Sequence, residues 1–268
     1  MDAILLHLVP ASAYALLALV VWRAPKRINA ASAASTSRIL LAAGLLTHGF
    51  VLGYDMLDGA TLRFGLAPAL SLTLWLALVL YFAESFVTRL DSLLLLALPV
   101  ASVCCLLPLA LPGDVQITTP GWGLRLHLVV AMLAYSLFAL AALHAVMLAV
   151  TERRLHHAQL DSDLDRLPPL LTVENLLFRL IAVAFVFLSL TLASGLLLPD
   201  LPTTRPLTVK YKLGFTAASW LVFGILLAGR HLRGWRGRVA QRWTGAGFMF
   251  LLLAYAGTHF VLEVLYKR

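Results

Sequence analysis

The chain has 268 residues, of which 61% are hydrophobic and 13% charged, with a formal charge of +8 and a mean hydropathy of +0.89. Soluble domains are about half apolar and about a quarter charged, and one core of this size cannot hide so much apolar surface, which excludes a water-soluble fold. The basic residues sit in short connections between apolar runs, so the charge reads as membrane orientation and not as a nucleic-acid surface.

A spanning helix needs about 20 mostly apolar residues, and the chain repeats such runs from end to end. The spacing predicts spans at 3–22, 38–57, 66–86, 93–111, 124–150, 176–198, 207–228 and 243–265. Arg23, Lys26 and Arg27 stop the first, Asp58 and Gly59 turn the chain after the second, and Pro112 and Gly113 end the fourth. The first run lacks a cationic leader and continues into further spans, so no cleaved signal peptide is expected. The fold class is therefore all-α, a polytopic bundle of about eight transmembrane helices forming a single integral membrane domain over 1–268.

Lysine and arginine set the orientation. The connections after spans one, three, five and seven carry 14 of them, from Arg23 to Arg242, and the opposite side carries 7. The first set belongs in the cytoplasm, which leaves both termini outside. The longest connection, 151–172, opens with bases and His156-His157 and then turns acidic. Pro168 and Pro169 stop a helix there, Thr172 is placed to cap the next one, and Glu174 to complement its dipole. No connection is large enough for a catalytic domain, and no internal repeat is evident.

Ionisable residues at membrane depth are costly, about 2.5–3.5 kcal/mol each on insertion scales. Here they are His7, His48, Asp55, Glu84, His127, His144, His259 and Glu263, with His231 at a cytoplasmic helix end. A rise of about 1.5 Å per residue places His127 and His259 toward the outer face and His48, His144 and His231 deeper or inward. A single such histidine is most often a hydrogen-bonding residue between helices. Five together point to a cofactor or a proton path. Neutral imidazole ligates haem iron, and facing helices of a bundle are where such sites are built. Gly49 and Gly53 offer close backbone approach, or simple helix packing, and Trp75, Trp122, Tyr135 and Trp220 offer aromatic walls. His127 and His144 lie on different faces of one helix and would not share an iron. Asp55, seven residues from His48 on the same face, is placed to orient its ring, or to sit at the interface. Cys104-Cys105 reads as small packing residues. The stretch 233–238 (RGWRGR) suits anionic headgroups or orientation alone.

Three segments carry a resemblance. The first is 168–179 (PPLLTVENLLFR) with 188–195 (LSLTLASG). The second is 127–138, an H-x4-M-x2-Y-x2-F helix. The third is 230–238 (RHLRGWRGR) with Ala254, Tyr255, Ala256 and Gly257. In this order they resemble the cytochrome c assembly protein family of CcsA type, and within it the short HemX- and YpjD-like branch. The likeness covers roughly residue 120 to the end and extends weakly over the first half.

The resemblance implies a multi-pass protein of the bacterial inner membrane that handles haem b in cytochrome c biogenesis, with histidines as axial ligands and other maturation proteins as partners beside the lipid bilayer. By position His127 matches the family's external histidine. His48 and His231 match histidines in or at the ends of spans, and His259 lies near the final external one. The expected ligands are the outward pair His127 and His259 and the inward pair His48 and His231, with His144 as a substitute. One departure is plain: full haem-handling members carry a tryptophan-rich external segment between spans six and seven, and 200–212 here has no tryptophan. That opens a cofactor-free scaffold or regulator of tetrapyrrole synthesis as an alternative, and a small-solute or tetrapyrrole transporter as another. No nucleophile elbow, P-loop or zinc motif is present, so no enzymatic activity is expected.

Overall fold

The computed structural model describes residues 3–23, 30–58, 61–88, 90–111, 115–118, 121–157, 170–197 and 206–257. Eight α-helices follow in order: α1 (Ala3–Arg23), α2 (Ala30–Met56), α3 (Leu66–Glu84), α4 (Asp91–Ala110), α5 (Trp122–His157), α6 (Leu170–Leu197), α7 (Pro206–Arg233) and α8 (Gly237–Leu252). A single π turn, Leu253–Gly257, prolongs α8. Seven of these helices are long and apolar enough to cross a membrane. The eighth span expected from sequence begins in α8 and runs through the π turn, and its last residues, 258–265, lie outside the described residues.

The helices are apolar on every side because two environments need covering. Along α1, Leu6, Ala11, Tyr14 and Leu17 are buried, while Ile4, Leu5, Val9, Leu16 and Val20 are exposed. A helix in water would carry polar residues on that outer face. The same holds for Leu46 and Phe50 on α2 and for Val183, Val186 and Leu190 on α6. The protein is an all-α multi-pass membrane protein.

Contacts gather into two compact units, Met1–Pro120 and Gly121–Arg268. In the first, α1 packs on α2 and α4, and α3 packs on α2 and α4. In the second, α5 packs on α6 and α8, and α7 packs on α6 and α8. Each unit is thus a four-helix ring in which sequence neighbours touch and the last helix closes on the first. The periodicity gave no hint of this shared plan, because it resides in which faces meet and not in any repeated motif.

The connections differ from expectation in three places. A small antiparallel sheet, β1 (Leu57–Asp58), β2 (Thr61–Phe64) and β3 (Val115–Thr118), occupies what reads as loop. Thr61 pairs with Thr118 and Phe64 with Val115, satisfying backbone groups where the chain leaves the helices. Helix α5 runs 36 residues, about 54 Å, and so continues through the start of the expected long loop. Helix α6 starts at Leu170, so Thr172 lies inside it and is not its cap.

Candidate functional site

His127 sits in the second turn of α5, half-buried. Its Nδ1 lies 2.8 Å from Ser194 Oγ near the end of α6. Ser194 Oγ also lies 3.1 Å from Thr191 O. A hydroxyl has one proton to give: where Ser194 gives it to Thr191 O it accepts from His127, and the proton of a neutral ring sits on Nδ1. The lone pair is then on Nε2, which has no hydrogen-bond partner among the described residues. Gly195 leaves room beside the ring, since a Cβ there would come within 3.4 Å of Cε1. An imidazole with Nδ1–H tied to an oxygen and Nε2 left unbonded can ligate a metal through Nε2.

The aromatic candidates of the second unit pair with one another. Trp220 on α7 donates from Nε1 to Ser189 Oγ at 2.8 Å and stacks on Phe185 at 5.3 Å. Tyr135, two turns along α5, meets Tyr255 of the π turn edge-on at 6.0 Å. Lys212 places Nζ 5.4 Å from the centre of the Tyr255 ring. Trp122, the other aromatic candidate on α5, is 81% exposed at the helix start.

The remaining histidines stand in different situations. His144 is fully buried on α5, with Nδ1 2.9 Å from Leu140 O of its own helix. His231 is exposed in the last turn of α7. His259 lies outside the described residues.

His48 is fully buried in the first unit, and both ring nitrogens are engaged. Nδ1 lies 3.1 Å from Tyr14 Oη and Nε2 2.9 Å from Ser71 Oγ. The ring therefore ties α1, α2 and α3 together. Gly44 admits the Tyr14 ring, which a Cβ would meet at 3.0 Å, and Gly49 admits the Trp75 indole at 2.9 Å. Trp75 in turn donates to Leu45 O at 2.8 Å. Gly49 thus serves close packing of α2 on α3, the second of the two readings its position allowed.

Asp55 does not reach His48. Its carboxylate meets His7 Nε2 at 2.8 Å. His7 and Tyr14 are seven residues apart on α1, and His48 and Asp55 seven apart on α2. Antiparallel packing matches them as two buried rungs about 10.5 Å apart, so each polar group meets one on the other helix. Cys104 and Cys105 are buried free thiols, and Cys105 Sγ lies 3.7 Å from His7 O, in keeping with a packing role.

At the other end of the second unit Glu174 is a hub and not merely a dipole complement. It falls beyond the first turn of α6 and is 7% exposed. Oε1 takes Arg230 at 2.6 Å and Arg236 at 3.5 Å, and Oε2 accepts from Gly237 N at 3.3 Å. Arg230 also stacks over Phe178 at 4.5 Å and donates to Trp235 O. Glu152 on α5 holds Arg238 at 3.1 Å and Gln241 at 2.9 Å. The turn between α7 and α8 is therefore a built structure. Gly234 and Gly237 take positive φ of 65° and 53°, which only glycine adopts readily. Trp235 covers Gly229 so closely that a Cβ would come within 2.4 Å of the indole.

Among the described residues no three metal-ligating side chains converge. An iron at His127 would need equatorial ligands of its own, as a porphyrin supplies. The residues in contact with His127 fit that group: one imidazole nitrogen without a partner among the described residues, its ring held by Ser194, and Gly195 beside it.

These features define a multi-pass helical membrane protein with a serine-held, half-buried histidine in its second unit. The Cytochrome C assembly protein family model matches residues 11–266, and the chain belongs to that family. A 28.8 kDa protein of Azospirillum brasilense is 31% identical over 206 residues, 75% of this chain and 76% of that one. The inner membrane protein YpjD of Escherichia coli is 32% identical over 143 residues, 53% of each chain. The cytochrome c biogenesis protein CcsA of Trieres chinensis is 24% identical over 263 residues, 85% of this chain and 82% of that one. No solved structure matches.

Proposed function

We propose that this protein binds haem b through His127 and acts in cytochrome c biogenesis at the bacterial inner membrane, handling haem and catalysing no reaction of its own. The observation that carries the reading is the His127 ring, whose Nδ1 is held by Ser194 while Nε2 has no hydrogen-bond partner among the described residues. Family membership over nearly the whole chain supports it, as does a relative named for cytochrome c biogenesis and another named as an inner membrane protein. When bound, haem would supply an iron that the His127 imidazole would hold. The chain's part is to hold the ring through Ser194 and leave Nε2 for the ligand.

In this reading His127 and His259 are the outward ligands, in a chain with both termini outside and maturation proteins as partners. His48 is assigned to packing, because a ligand role would require it to give up Tyr14 or Ser71. His144 and His231 remain secondary ligand candidates.

The test is the reduced-minus-oxidised visible spectrum of the protein purified in mild detergent, with a pyridine haemochrome assay for stoichiometry. Near-stoichiometric haem, lost or spectrally altered in His127→Ala and kept in His48→Gln, is the expected result. A protein that carries no haem, even from cells supplied with precursor, overturns the reading and leaves a cofactor-free scaffold or regulator in its place.

A further inference from the structure

Lys212 is a cation inside a span. It lies near the start of the membrane-length stretch Tyr211–Arg233 of α7 and is half-buried. Among the described residues its Nζ meets no carboxylate, and the Tyr255 ring at 5.4 Å is its only charge-stabilising contact. Ionisable side chains in spans normally face a partner or a functional cavity. Long lysines can instead snorkel to the interface, but this one is turned toward the aromatic face of α8.

The neighbours are arranged about that cation. Tyr255 lies in the π turn at the end of α8, an irregularity that re-aims side chains and recurs at functional sites. Tyr135 abuts it at 6.0 Å. Thr216, one turn along α7, donates to Lys212 O at 2.7 Å. Three helices thus present one ammonium and two tyrosine rings at one place.

That place is close in depth to His127. On α6, Ser194 meets His127 and Ser189 meets Trp220. Ser194 lies five residues beyond Ser189, so its depth on antiparallel α7 falls near residue 215. Lys212 is three residues further, about 4.5 Å. Tyr135 is eight residues along α5 from His127, about 12 Å. Lys212 thus lies about 4.5 Å to one side of the His127 level and Tyr135 about 12 Å to the other, so the ammonium is the member of the cluster nearest the imidazole in depth.

We propose that Lys212, backed by Tyr255 and Tyr135, is a receiving site for a carboxylate of an amphipathic ligand, the edge carboxylates of the haem assigned to His127. The inference rests on that assignment. An ammonium in a low-dielectric setting binds an anionic oxygen more strongly than it would in water. Such a contact would fix the orientation of the macrocycle, which a single axial nitrogen leaves free to rotate.

The test titrates the purified protein in detergent with ferric haem and with haem dimethyl ester, which keeps the iron and loses both negative charges. The wild type is expected to prefer haem by about 10- to 100-fold, the scale of a charged hydrogen bond. Lys212→Met should lose that preference while still binding the ester with an unchanged Soret maximum, the signature of intact axial ligation. Lys212→Arg should keep it.

Equal binding of haem and ester by the wild type, with a normal Soret band, overturns the carboxylate site and leaves the His127 reading standing. A Lys212→Met protein that still prefers haem also overturns it. If that protein instead loses only co-purified anionic lipid, Lys212 serves a headgroup phosphate and the proposal is refuted. No Soret band in any of the proteins overturns both readings together.

Discussion

Ser194→Ala isolates the hydrogen bond that sets the His127 tautomer. The change removes the oxygen 2.8 Å from Nδ1 and little else. The same oxygen bonds back to Thr191 O within α6, a local contact that adds little to helix stability, so the fold should survive. Without an acceptor the ring is free to turn, and the proton is free to move to the nitrogen that must face the iron. Outer partners of ligating histidines typically matter by about 10- to 100-fold in affinity, or about 1.4–2.7 kcal/mol. Haem titration followed at the Soret band should show a loss of that size in Ser194→Ala and near-wild-type binding in Ser194→Thr, which keeps a hydroxyl. The midpoint potential should rise in the alanine variant, because an imidazole without the Nδ1–H bond donates less electron density. Unchanged affinity together with unchanged potential would refute the argument that Ser194 holds the ring.

Three further outcomes follow from buried groups elsewhere. Tyr14→Phe or Ser71→Ala leaves one nitrogen of fully buried His48 without its partner, at a cost of about 1–3 kcal/mol, seen as a lower thermal midpoint in detergent with haem content unchanged. Glu174→Ala strands Arg230, whose side chain is 22% exposed. Losing one partner of a fully buried pair costs about 3–5 kcal/mol, and the partial exposure of Arg230 and the open position of Arg236 reduce this to about 1–3 kcal/mol. Thermal unfolding should show it, with Glu174→Gln intermediate. Gly229→Ala drives a methyl group into the Trp235 indole, so the indole must move out, costing about 1–3 kcal/mol by overpacking. Protease cleavage between α7 and α8 should then rise in Gly229→Ala and stay at the wild-type level in Gly245→Ala, where a Cβ meets nothing within 4 Å.

Hydropathy alone was enough for the class of protein and for the places of its helices, because a bilayer demands about 20 apolar residues per crossing whatever the partner helix. The helix signal also marked the ionisable residues worth explaining, and the H-x4-M-x2-Y-x2-F segment pointed to His127. What sequence could not supply was the pairing across helices. Asp55 stands on the same face of α2 as His48, as its spacing required, but two turns separate them, and the antiparallel register of α1 hands Asp55 to His7 instead. His48 and His127 look alike as lone histidines in apolar runs. Tertiary packing closes both nitrogens of the first with Tyr14 and Ser71 and leaves one nitrogen of the second presented. Glu174 reads locally as a helix-dipole residue, and only the return of α7 brings Arg230 to it, 56 residues later. Periodicity reports which environment a face meets, whereas the atom that meets a given nitrogen depends on the register between helices, which no single helix encodes.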